Sequence, residues 1–174
     1  QEMAKKNFFC FRMGSVVSGK LRLISSKIID YANSDDQSDL LDIYLSSKCR
    51  FFLCSQTGIS IFPETFNRPI AYVNCYHFPV SWFHTNQVFN NNSLIITKKY
   101  YSIKEKRFLT FKEIDKLNHQ GKTSRLKELN IKIIDNTDEE ITELILEMES
   151  RLNGSWVTNQ EDEESKKIYA DGCV

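Results

Sequence analysis

Apolar side chains come in short, nearly continuous blocks along this chain, and amphipathic stretches separate them. Asn7–Arg12 (Asn-Phe-Phe-Cys-Phe-Arg), Lys27–Ala32, Arg50–Cys54 and Pro69–Cys75 have the length and aromatic or β-branched content of strands. Leu94–Thr97 and Ile131–Asp135 extend the series. The stretches between them repeat at helical spacing. Ser38 is placed to cap a helix running to about Lys48, with Leu40, Leu41, Tyr44 and Leu45 as its buried face. Gly58–Phe66 reads as a short helix presenting Ile59, Phe62 and Phe66. Thr110 with Glu113, and Thr137 with Glu140, have capping-box spacing. The first opens a helix that stops before Gly121. The second opens the strongest helix in the chain, with Ile141, Leu144, Ile145, Met148 and Leu152 on one face and Asn153-Gly154 at its end.

Apolar strands alternating with helices predict an α/β fold, a doubly wound, Rossmann-like parallel sheet covered on both faces. This unit is expected to span residues 1–156, with 157–174 forming an acidic tail or exposed helix around Glu161–Glu164. From Tyr76 to Ser93 there is no period, but the segment holds Phe78, Trp82, Phe83, Phe89, His77 and His84. Loops of that length inside compact domains usually serve a function, so His77, Trp82 and His84 are candidate lid or cleft residues. Gln1–Lys6 reads as the last turn of a helix and Asn7 opens a strand at once, as in a chain that begins within a larger architecture.

Composition narrows the class. A hydrophobic content of 41% with few Gly and Pro belongs to a globular chain. The 23 basic and 23 acidic side chains balance, leaving no excess charge for general nucleic-acid binding. No apolar run reaches the roughly 20 residues of a membrane-spanning helix. The five cysteines lack Cys-x-x-Cys spacing, and Cys10, Cys54 and Cys75 fall in apolar runs where Cys acts as a small hydrophobe. A reducing, cytoplasmic setting is expected.

In open α/β sheets ligands bind outside the carboxyl ends of the strands. Four such ends are Arg12-Met-Gly14, Asp30-Tyr-Ala-Asn-Ser34, Ser55-Gln-Thr-Gly58 and Asn74-Cys-Tyr-His77. A strand that stops at a hydroxyl-bearing turn and opens a helix offers N–H groups and a positive dipole end to an anion. Arg12, Gly14, Asp30, Asn33, Ser55, Thr57, Gly58 and Asn74 at these ends offer one cation, hydroxyls, amides, one acid and a glycine turn, a mix that suits a nucleotide diphosphate, with Arg for phosphate charge, helix N–H groups for phosphate oxygens, and Asn and backbone for base or ribose. Two roles are open to Arg12: phosphate contact, or an ion pair with Asp30. Thr57-Gly58 also fits an ordinary helix cap, and Asp30 a turn former. His77, His84 and Cys75 match no standard zinc spacing, so no metal is expected. No Ser/His/Asp triad or carboxylate pair is readable, and the catalytic residue stays unassigned.

The stretch Asp39-Leu-Leu-Asp-Ile-Tyr-Leu-Ser-Ser-Lys-Cys-Arg-Phe-Phe-Leu-Cys-Ser-Gln-Thr-Gly-Ile-Ser60, followed by Phe66-Asn-Arg-Pro-Ile-Ala-Tyr-Val-Asn74, resembles the nucleotide-sugar-binding half of GT-B-type glycosyltransferases. The nearest resemblance is to a bacterial family from surface-polysaccharide gene clusters. Its strand ending in Arg-Met-Gly, its Ile-Asp-Tyr-Ala-Asn-Ser phrase, its Thr-Gly turn and its Pro-x-x-Tyr-Val-Asn strand recur here in that order. The resemblance continues through Arg107–Glu113 and Glu147–Gly154. More remotely the chain is similar to heptosyltransferases, where an acid precedes the turn's hydroxyl residue; Gln56 stands in its place. The resemblance implies a C-terminal, donor-binding half whose N-terminal acceptor domain is absent. It implies transfer of a sugar from a nucleotide diphosphate to a polysaccharide or lipid-linked acceptor, with Arg12, Thr57 and Gly58 on the diphosphate, Asp30, Asn33 and Asn74 on base, ribose or sugar, and no cofactor beyond the nucleotide-sugar. Membrane association would be peripheral, through the acceptor, and this chain alone is expected to lack turnover. Two alternatives stay open: half of a sugar-nucleotide 2-epimerase, and an inactive, truncated nucleotide-binding module.

Overall fold

The computed structural model describes residues 1–22, 24–76, 93–117, 123–160 and 163–164. The expected lid residues His77, Trp82 and His84, the Gly121 helix stop and most of the acidic tail lie outside them.

At the centre is a parallel sheet of β3 (Phe52–Cys54), β4 (Ile70–Cys75) and β5 (Leu94–Thr97), in the order β3-β4-β5. Parallel strands in such sheets are apolar on both faces because helices cover both, and β4 has that character. On one face Phe52, Ile70, Tyr72 and Cys75 form a cluster with Met13, Cys49, Cys54, Ile59 and Ile95. Cys49 closes helix α2 (Asp39–Lys48), and Ile59 lies in a 3-10 turn, Gly58–Ser60, leading into α3 (Ile61–Thr65). On the other face Ala71 and Val73 meet Leu144 and Met148. These belong to the long helix expected after Thr137, here α6 (Asp138–Leu152). Helix–sheet–helix layering thus follows the expectation for the α/β class.

The sheet itself is smaller than expected. Helix α1 (Glu2–Lys5) precedes a separate parallel pair, β1 (Cys10–Phe11) with β2 (Ile28–Ile29). The four strands expected to be neighbours pair parallel two by two, β1 with β2 and β3 with β4, and no ladder joins the pairs among the described residues. Local backbone turns explain the short strands. Asn7 takes φ 75° just before β1, and Tyr31–Asn33 winds into a 3-10 turn after β2.

Ile131–Asp135 does not join the parallel sheet either. Its core, β8 (Ile131–Ile134), pairs antiparallel with β6 (Lys99–Ser102), which also pairs antiparallel with β7 (Arg107–Phe108). The alternating Lys99-Tyr100-Tyr101-Ser102 run carries this signal: Tyr100 and Ser102 are buried while their neighbours are not, as in a sheet with one covered face. Tyr100 and Ile131 form a second core with Ile114 and Leu126, from helices α4 (Phe111–Lys116) and α5 (Thr123–Glu128).

Helix α2 turns a different face inward than its leucine spacing suggests. Leu40 and Tyr44 are exposed, and Ser46 is fully buried. The small side chain allows close packing, which two large ones would prevent. Glu149, on the buried side of α6, receives a two-pronged ion pair from Arg50 (Nε 3.1 Å and Nη2 3.2 Å). Sequence reading missed that pair, since 99 residues separate the partners.

Both expected capping boxes are present, at Thr110/Glu113 and Thr137/Glu140. At the first, Arg107 and then the Thr110 N–H and hydroxyl hold the Glu113 carboxyl down at about 2, against an ordinary 4.5. A depressed carboxyl stabilises the fold above its unfolded value and loses that contribution on acidification. Glu113→Gln should therefore flatten the loss of stability seen as pH falls from about 4.5 toward 2. Urea unfolding of both proteins at several pH values in that window checks it. Parallel curves would remove Glu113 as the cause.

Candidate functional site

The carboxyl edge of the parallel sheet carries a cleft of about 330 Å³ lined by Ser55, Gln56, Asn74, Tyr76 and Lys98. Ser55 and Gln56 follow β3, Asn74 and Tyr76 come from the end of β4, and Lys98 follows β5. The cleft therefore lies where an open α/β sheet is expected to take its ligand. Its volume is at the lower end of the range for small-molecule sites.

Hydrogen bonds fix this edge. The Tyr76 N–H donates to Gln56 Oε1 at 3.0 Å, linking the ends of β3 and β4. The Lys98 N–H donates to the Cys75 carbonyl at 2.7 Å. Asn74 and Asn136 clasp each other: each backbone N–H donates to the other's side-chain Oδ1, at 2.6 Å in both directions. Asn136 Nδ2 also donates to the Thr97 carbonyl at 2.9 Å. Asn74 sits in the left-handed region, φ 52°, which Asn tolerates better than most residues, and the β4–β5 register shifts between Tyr72 and Cys75. The clasp brings the turn after β8, Asp135-Asn136-Thr137, to the end of the parallel sheet. There Lys98 Nζ pairs with Asp135 and lies 5.6 Å from the centroid of the Tyr76 ring.

Arg12, Asp30 and Asn33 form a second cluster. Arg12 Nη1 donates to Asp30 Oδ1 at 3.3 Å and to the Gly19 carbonyl at 2.9 Å. Asp30 Oδ2 accepts from the Leu21 N–H at 2.8 Å and from Asn33 Nδ2 at 2.9 Å. The Leu21 N–H foremost, then Asn33 and Arg12, hold the Asp30 carboxyl below its ordinary range against partial desolvation. Of the two roles open to Arg12, the ion pair is the one seen. The cluster clasps the loop of residues 14–21 onto β1 and β2. Gly14 needs its glycine, with φ 126°, and its carbonyl accepts from Gln37 Nε2 at 3.0 Å. Met13 packs on the core cluster that includes Cys54 and Cys75, so this segment runs alongside the carboxyl edge.

Thr57 and Gly58 lie just beyond the cleft lining. Thr57 makes no side-chain cap; its hydroxyl donates to the Ser55 carbonyl at 3.4 Å. A Cβ on Gly58 would meet nothing within 4 Å, so neither strain nor crowding demands glycine there. The expected single helix from Gly58 to Phe66 is a 3-10 turn and a five-residue α-helix. Tyr72 anchors this unit to β4 by donating its hydroxyl to Glu64; burial first, then the Glu64 carboxylate, push the phenol upward. Burial also raises the thiols of Cys54 to about 12 and Cys75 to about 11, so neither is a nucleophile at neutral pH.

Ser55 and Asn74, expected at the site, do line the cleft. Gln56, Tyr76 and Lys98 line it as well, and Asn136 shapes it. Gln56 and Tyr76 fall inside the strand-end phrases Ser55-Gln-Thr-Gly58 and Asn74-Cys-Tyr-His77 without a role assigned there, and no motif announces Lys98 or Asn136. For Lys98 and Asn136 the only signal is position, just past the apolar strands β5 and β8. A wider, shallower hollow of about 580 Å³ along Ile24–Asp30 contains Asp30 and, among the described residues, no cation. Among the described residues no helix is long and apolar enough to cross a membrane. No family model, curated protein or solved structure matches the chain significantly.

Proposed function

We propose that this chain is the donor-binding half of a glycosyltransferase and holds the nucleoside-diphosphate part of a nucleotide-sugar in the carboxyl-edge cleft. The observation that carries the reading is the cleft's position, at the ends of three parallel strands and lined by a hydroxyl, two amides, a phenol and an ammonium. Such a lining offers donors to phosphate and ribose oxygens and an aromatic ring to a base. Among the described residues the lining holds no carboxylate, although Asp135 pairs with its Lys98. The order of motifs that resembles GT-B glycosyltransferases supplies the reaction class: transfer of the sugar to a polysaccharide or lipid-linked acceptor.

Titration calorimetry of the 174-residue chain with UDP-sugars and GDP-sugars tests this. One of the two series should bind with a Kd in the micromolar-to-millimolar range. Ser55→Tyr, which fills the cleft from its rim, should abolish the heat while far-ultraviolet circular dichroism stays unchanged. Absence of binding by every nucleotide-sugar, or equal binding by a folded Ser55→Tyr protein, would overturn the assignment.

A further inference from the structure

Two cations stand near the carboxyl edge, and they are held very differently. The Arg12 side chain is 22% exposed and its partner Asp30 only 11%. Asp30 also accepts from Leu21 and Asn33, and Arg12 also donates to Gly19. Drawing Arg12 toward a ligand would break two of its contacts and leave a largely covered carboxylate short of its cation, a costly exchange.

Lys98 presents the opposite case. Its side chain is 17% exposed, but its acid partner Asp135 is 67% exposed. Asp135 sits on the turn after β8, in water, where an ion pair contributes little and its carboxylate is readily rehydrated. The backbone of Lys98 is pinned to β4 through Cys75, and its ammonium rests near the Tyr76 ring inside the cleft lining. The stem is thus ordered by the fold, while the charge is balanced by a replaceable group. Of the lining residues Lys98 bears the cation.

We infer that Lys98 is the phosphate-binding cation of the cleft, and that Asp135 is its internal counter-ion, displaced when a nucleoside diphosphate enters. The assignment rests on the nucleotide reading above and names the group that would recognise the anion. A lysine ammonium offers a compact charge with three rotatable donors. A diphosphate presents several oxygens and more negative charge than one carboxylate, so it outcompetes Asp135 for that ammonium. Asp135 then acts as a brake: it lowers the apparent affinity and discriminates against weakly charged ligands.

The two variants should act in opposite directions, which a merely structural ion pair would not do. Calorimetric titration with UDP, GDP and inorganic pyrophosphate at fixed ionic strength reads this out. Lys98→Met, which keeps an apolar stem against Tyr76, should weaken binding by roughly tenfold or more, the loss expected of one charge-assisted contact. Lys98→Ala serves as a second variant, and circular dichroism checks both folds. Asp135→Asn should tighten binding by a few-fold. Nucleoside diphosphate binding that is unchanged in folded Lys98→Met and Lys98→Ala proteins overturns the Lys98 assignment and leaves the nucleotide reading intact. Weakened binding in Asp135→Asn overturns the counter-ion role. Pyrophosphate binding that depends on Lys98, with no added affinity for UDP or GDP, supports the cation and overturns the nucleotide. No binding of any of the three by the wild type overturns both.

Discussion

Asn136→Ala is expected to lower the free energy of unfolding by about 2–4 kcal/mol, a large effect for a polar residue in a loop. The substitution removes the acceptor of the Asn74 N–H and the donor to the Thr97 carbonyl. Both groups lie at part-buried strand ends, and leaving such a group unpaired costs about 1–3 kcal/mol. Asn136→Asp makes the sharper test. It keeps the size and the oxygen facing Asn74, but it turns an oxygen toward the Thr97 carbonyl in place of the amide NH₂. It should be as destabilising as alanine although it is nearly isosteric. Because the clasp shapes the lining through Asn74, both variants should also lose nucleoside diphosphate binding below their unfolding midpoint. Urea titration of the wild type and both variants, with ligand titration in the folded range, decides the matter. Wild-type stability in Asn136→Asp would mean that the Thr97 contact contributes nothing.

Met148→Ala should cost about 2–5 kcal/mol, the range for truncating a long apolar side chain in a packed core. Met148 is 1% exposed and sits with Leu144 on Ala71 and Val73 of the central strand. Ala71 is fully buried beneath the helix, so α6 lies close to the sheet and the rigid strand cannot move in to fill the void. For a chain of this size the unfolding temperature should drop by on the order of 10 °C. Glu143→Ala, on the exposed side of the same helix, should change stability by less than about 0.5 kcal/mol. Differential scanning calorimetry of the three proteins checks both expectations. Equal midpoints for wild type and Met148→Ala would show that α6 contributes little to the sheet's stability.

The features most legible in the sequence are those set within one or two turns of chain. Thr110 and Thr137 reach their own third-next residues, so both capping boxes appear where the spacing places them. Leu144 and Met148 lie one helical turn apart and share the covered face of α6. The continuous apolar run of β4 signals burial on both faces, and it is the middle strand of a parallel sheet. From these follows the α/β class.

Leucine spacing misled at α2. The spacing counts hydrophobicity, whereas the fully buried position went to Ser46, the residue small enough for a close approach. The assignment of β8 to the parallel sheet failed for a related reason. An apolar run marks a strand but says nothing of direction, and β8 was captured by β6, whose alternation announces a sheet covered on one face. For Arg12 and Asp30, which lie outside the cleft lining, the sequence leaves pairing and phosphate contact both open, and only their packing, with Leu21, Asn33 and Gly19 around them, shows the pair made.

Sequence alone thus determined the caps, the covered face of α6 and the buried strands, because each depends on neighbours a few residues away. Tertiary structure decided which strand ends meet and which charges remain available. Asn74 finds Asn136 across 62 residues and Lys98 finds Asp135 across 37. Contacts at that separation form only once the loop between them is closed. What they yield, a pinned lysine whose counter-ion is in water, depends on how deeply each partner is buried, and burial is a property of the folded chain.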